Sequence, residues 1–143
     1  MLNDDRVCHD ELLYRKVPDQ KGIHYKPIGG GKHRVTSAAF EDKKWQPSVD
    51  RAKLCGFNPQ HSKKYPTDLV VSFTAGEVRG VKGFSTVIDV VSNPKPPEDP
   101  GNLTHALITA DRQFPSKTQF QKFTKALARI ANSNWEIAPP EPD

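Results

Sequence analysis

The chain has 143 residues, 35% of them hydrophobic, enough for one domain that buries its own core without disulfide or metal staples. Twenty-one Lys and Arg against seventeen Asp and Glu leave a formal net charge of +4, which favours anionic partners but falls short of a dedicated nucleic-acid-binding tail. No apolar run of about 18 residues is present, and the polar start MLNDDRVCHDELLYRKV lacks the apolar block of a secretory signal, so a cytoplasmic protein without membrane association is expected. The cysteines Cys8 and Cys55 form no framework and are expected as free thiols, and 13 prolines predict a loop-rich architecture.

In chain order, residues 11–17 (ELLYRKV) read as a short strand stopped by Pro18, and residues 19–32 as loop. Gly29, Gly30 and Gly31 followed by Lys32, His33 and Arg34 combine free amides with positive charge, a combination that can receive phosphate. A nucleotide-triphosphatase loop is excluded, because Lys26 stands where its first glycine belongs and His33 where its Ser or Thr belongs. The plainer reading is a hairpin end with solvated basic residues. Residues 34–40 continue as a brief strand, and residues 41–46 form a charged loop around Trp45. Pro47 and Ser48 then open a predicted helix that Gly56 closes. Residues 57–66 read as a connecting loop in which Lys63, Lys64 and Tyr65 are available to an anion.

Residues 68–74 (DLVVSFT) form the clearest strand, with Leu69, Val71 and Phe73 on one face, and residues 84–91 (FSTVIDVV) form a second, predicted to pair with it as a hairpin. The four prolines of residues 93–102 impose a stiff extended loop. Residues 103–109 (LTHALIT) are the next strand, and His105 within it offers an acid, base or ligand unless it is simply a half-exposed structural histidine. Ser116 and Gln119 have capping-box spacing ahead of a helix whose Phe120, Phe123, Leu127 and Ile130 make one apolar stripe. Lys122, Lys125 and Arg129 line its other side as a row of cations toward solvent. Asn132 stops the helix, Trp135 to Ile137 return against the core, and residues 138–143 (APPEPD) make a flexible acidic tail.

These segments predict a single α+β domain over residues 1–137, mainly an antiparallel sheet of four or five strands covered by the C-terminal helix. The expected function is a binding domain for an anionic ligand, a nucleotide or a nucleic-acid phosphate, held by Arg15, Lys32, His33, Arg34 and Arg79. The alternative is a nucleotide-processing enzyme in which Arg15 clamps phosphate, Ser37 orients the sugar and His105 manages protons. A third reading is a protein interaction module that uses the proline-rich loop and the cationic helix as its surface. No metal or cofactor is expected: Cys8, His9, Asp10 and Glu11 are sequence neighbours that do not converge, and neither CxxC nor HxxxH spacing occurs.

The segments LLYRKV, RVTSAAF, SVDRAK and THALI together resemble a small bacterial domain pattern found in uncharacterised proteins, which implies a compact bacterial domain and transfers no functional residue. Tyr14-Arg15 and Ser37 are also similar to the opening of compact NAD-consuming transferase toxins, where an early strand arginine holds the dinucleotide. The late acidic catalytic residue of that group has no counterpart here.

Overall fold

Alternation in LLYRKV places Leu13 and Val17 on one face and Tyr14 and Lys16 on the other, which makes this segment strand β1 (Leu12–Val17). The computed structural model describes residues 6–84, 86–94 and 103–140. After β1 come β2 (Tyr25–Gly29), β3 (Lys32–Val35), β4 (Ser48–Arg51), β5 (Leu69–Thr74), the short helix α1 (Ala75–Arg79), β6 (Ile88–Ser92), β7 (His105–Ala110), the long helix α2 (Lys117–Ala131) and β8 (Trp135–Ile137). The fold is α+β: six strands form an antiparallel sheet in the order β6-β7-β4-β1-β5-β8, one strand more than the upper expectation, and β2 and β3 form a separate hairpin.

The core lies between one face of this sheet and α2. Leu13, Val17, Val71, Phe73, Val90 and Ile108 meet Phe120, Phe123 and Leu127 of the helix stripe, all buried. Each such side chain contributes roughly 1.5–3 kcal/mol on burial. Phe114 stacks on Phe123 with ring centroids 5.2 Å apart, and Phe84 meets both edge-on. Ser116 Oγ accepts the Gln119 N–H at 3.2 Å, one half of the expected capping box, and so starts α2. On the sheet's other face Tyr14, Ala52 and Val70 form a small buried apolar cluster, beside the 3₁₀ turns Ala52–Cys55 and Pro59–Ser62. Within the sheet, Arg51 and Glu11 form an ion pair whose side chains are each 2% exposed, with Arg51 Nη2 donating to Glu11 Oε2 at 3.0 Å.

Several local expectations are corrected. The predicted helix between Pro47 and Gly56 is β4 followed by a 3₁₀ turn, because Val49 and Arg51 face inward at a two-residue period and pairing with β1 and β7 overrides the cap-like signals. The predicted β5–β6 hairpin does not form. Thr74 and Glu77 build a complete capping box that starts α1 directly after β5, so β5 pairs with β1 and β8 while β6 pairs with β7. The strand expected over residues 34–40 ends at Val35, and Ser37–Phe40 is a 3₁₀ turn whose Ala39 and Phe40 are buried in the core. Strand β2 occupies part of the predicted loop of residues 19–32. Most of the proline-rich stretch, residues 95–102, and the last three residues of the acidic tail lie outside the described residues. Cys8 and Cys55 are unpaired, and among the described residues no helix is long and apolar enough to cross a membrane.

Candidate anion site

The hairpin is the element that builds the site. Gly30 and Gly31, with φ of +62° and +74°, make the two-residue turn between β2 and β3, a conformation that side chains resist. One face of the hairpin is apolar and docked: Tyr25 is 4% exposed and meets His33 and Trp135 edge-to-face at 5.4 and 6.0 Å. Two hydrogen bonds lock the docking, Val35 N–H to the carbonyl of Asn132 at 3.0 Å and Trp135 Nε1–H to the carbonyl of His33 at 3.0 Å. Alternation then leaves Lys26 and Arg34, which are direct cross-strand partners, exposed on the hairpin.

Across from them α2 presents Lys125 and Arg129, four residues apart on one side of the helix. The hairpin and the helix enclose a cleft of about 490 Å³ lined by these four cations together with Thr36, Ser37 and Asn132. Among the described residues no acidic side chain lines it. Among the described residues none of the four cations has an ion pair or a side-chain hydrogen bond. The site therefore consists of two like-charge pairs, one in each wall, and each pair joins one Lys to one Arg.

The residues expected from sequence distribute as follows. Arg34 and Ser37 line this cleft. Lys32 sits exposed beside the glycine turn, while His33 is 6% exposed and packs inward on Tyr25, so neither is among the lining residues. Arg15 lies elsewhere, and protein oxygens occupy its donors: Nε–H donates to the Ala39 carbonyl at 2.9 Å and Nη1–H to the Ser48 carbonyl at 2.7 Å. Burial lowers its guanidinium to about 10, against the pull of Asp42 and Asp50, and it stays charged at neutral pH. Arg79 is also engaged, donating through Nε to Asp89 at 2.7 Å and through Nη2 to the Val90 carbonyl at 3.0 Å.

Neither families, nor curated proteins, nor solved structures match the chain. The site stands on its own geometry.

His105 lines a different hollow, on the sheet face opposite α2, with Tyr14, Arg15, Lys16, Ser48, Asp50 and Ser62. Its Nδ1–H donates to the Asn93 carbonyl at 2.9 Å, and Asp50 accepts from Ser62 Oγ at 2.7 Å and from Thr104 Oγ1 at 2.8 Å. Burial raises Tyr14 and lowers Lys16. At about 130 Å³ this hollow is smaller than a nucleotide requires. The constellation of Arg15, Arg34, Ser37 and His105 is thus divided between two places. Among the described residues no group of three or more His, Cys, Asp and Glu is arranged to hold a metal ion.

Lys26, Lys125 and Arg129 were not among the residues expected to bind. In the sequence Lys26 figures only as a break in a nucleotide-loop pattern, and Lys125 and Arg129 belong to a helix row that an anionic partner could bind but that a solvated face explains more simply. The row's spacing of three and four along α2 is visible in the sequence, but not the packing that brings the glycine hairpin to face it.

Proposed function

We propose that the chain is a binding domain for a phosphate-bearing anion, held in the cleft between the β2–β3 hairpin and α2. The observation that carries this reading is the pairing of like charges without a counter-ion. Lys26 opposite Arg34 and Lys125 one turn from Arg129 are both unfavourable arrangements, each costing a few tenths of a kcal/mol. A bound anion converts both costs into attraction, and the guanidinium forks of Arg34 and Arg129 match phosphate geometry. Arg129 also offsets the negative end of the α2 dipole, which accounts for one cation and leaves Lys26 and Arg34 without such a cause. A cytoplasmic setting, where phosphorylated solutes are abundant and Cys8 and Cys55 stay reduced, fits this role.

The test is calorimetric titration with inorganic tripolyphosphate at about 50 and 200 mM salt. Binding that weakens with salt and is lost in Arg34→Gln supports the site. Absence of binding at the lower salt, or binding that Arg34→Gln leaves intact, removes it.

A further inference from the structure

The lining of the cleft narrows the class of ligand, given the anion reading above. We infer that the ligand is a polyol carrying at least two phosphates and no nucleobase, in the size range of a phosphorylated sugar. Two phosphate seats follow from the arrangement of charge: each wall supplies one guanidinium fork and one ammonium, Arg34 with Lys26 and Arg129 with Lys125.

The absence of a base follows from what the cleft lacks. No aromatic side chain lines it, its apolar lining being Val35 and Ala128 alone, so no platform exists for a stacked base. The nearby aromatics of the hairpin are already committed, since Trp135 donates Nε1–H to His33 and packs on Tyr25. Farther along α2, Trp45 stacks on Phe120 in a separate cleft of mixed charge, lined by Glu41 and Asp42 and by Lys43 and Lys117.

The polyol follows from what remains. Ser37 and Asn132 line the cleft, and among the described residues their side chains make no hydrogen bond, leaving a hydroxyl and a carboxamide available to ligand hydroxyls. A volume of about 490 Å³ accommodates a hexose bisphosphate with its water.

The experiment compares fructose 1,6-bisphosphate, glucose 6-phosphate, inorganic tripolyphosphate and ATP by calorimetry on the whole chain. The bisphosphate is expected to bind at least about tenfold tighter than the monophosphate, and ATP no tighter than tripolyphosphate. Ser37→Ala and Asn132→Gly should each weaken the bisphosphate about fivefold and weaken tripolyphosphate by a smaller factor. Glycine is chosen at Asn132 because φ there is +42°, and the melting curve of each variant reports whether it folds. If no anion binds, the anion reading itself fails and takes this inference with it. If ATP binds about tenfold tighter than tripolyphosphate, the anion site stands and the exclusion of a base is overturned. If the Ser37 and Asn132 variants affect both anions equally or neither, the polyol assignment is overturned.

Discussion

Lys26→Gln separates a binding site from a solvated surface, because the two readings predict opposite signs for stability. Lys26 is exposed and makes no ion pair among the described residues, so the substitution removes a charge and little packing. Relief of the cross-strand repulsion with Arg34 is worth about 0.2–1 kcal/mol. For 143 residues the unfolding entropy is about 0.3 kcal/mol per degree, so the ligand-free variant should melt about 1–3 °C above the parent at low salt. High salt should shrink that gain as screening shortens to a few ångströms. With ligand present the order reverses. At about 100 times its dissociation constant an anion stabilises the parent by about 2.7 kcal/mol, or about 9 °C. A tenfold weaker variant at the same concentration gains only about 1.4 kcal/mol, or about 5 °C. Scanning fluorimetry with and without tripolyphosphate, at two salt concentrations, reads all four values. A variant that melts lower without ligand, or that keeps the full ligand-induced shift, would refute the assignment of repulsion to this cleft.

Three further outcomes follow from the fold. Glu11→Leu removes the carboxylate paired with the buried Arg51 guanidinium and should cost about 3–5 kcal/mol in urea unfolding, while the double variant with Arg51→Met recovers most of it; a loss below about 1 kcal/mol in the single variant would show that the pair is not desolvated. Burial lowers the pKa of His24, and its Nδ1 is buried without a partner, so its stabilising contribution is complete above the unfolded value near 6.5 and is lost as pH falls through the lower folded value. The parent should therefore lose more stability than His24→Asn between about pH 7.5 and 5.5, and equal losses would exclude His24 as the cause. Arg79→Ala uncovers edge strand β6, whose Val90 N–H bonds Asp89 and whose Val90 carbonyl bonds Arg79, beside the exposed Val87 and Val91. Sedimentation should then show concentration-dependent self-association, and a variant that stays monomeric would mean that the edge has another guard.

Where one local signal stood alone, the fold was legible. The apolar residues of LLYRKV ahead of Pro18 gave β1, the alternation in LVVSFT gave β5, and the spacing of Phe120, Phe123 and Leu127 gave α2. Where two signals competed, tertiary pairing decided. Pro47, Ser48 and Gly56 carry the residues of a helix start and stop, yet Val49 and Arg51 belong to the middle of a sheet, and only the presence of β1 and β7 on either side selects the strand. The missed helix α1 did leave a readable mark in Thr74-Ala-Gly-Glu77, a capping-box spacing hidden by the expectation of a hairpin between residues 68–74 and 84–91. Arg34 was accessible from its glycine-rich context, but its partners Lys125 and Arg129 face it only because Tyr25, His33 and Trp135 dock the hairpin against the far end of α2.

The arginines show why residue type alone does not single out the cations of the proposed cleft. A guanidinium suited to phosphate is equally suited to a cluster of carbonyls, and nothing in the residue itself says which oxygens it will meet. Arg15 meets the carbonyls of Ala39 and Ser48 and ties β1 to β4 and to the turn that precedes it; Arg51 meets Glu11; Arg79 meets Asp89 and the β6 backbone. Their donors are held by the fold. Arg34 and Arg129 have the same chemistry but no protein acceptor among the described residues, and each stands beside a lysine that raises the local potential further. The proposed function therefore rests on acceptors that the fold does not supply: the cleft between the hairpin and α2 gathers four such cations, and among the described residues no acid lines it.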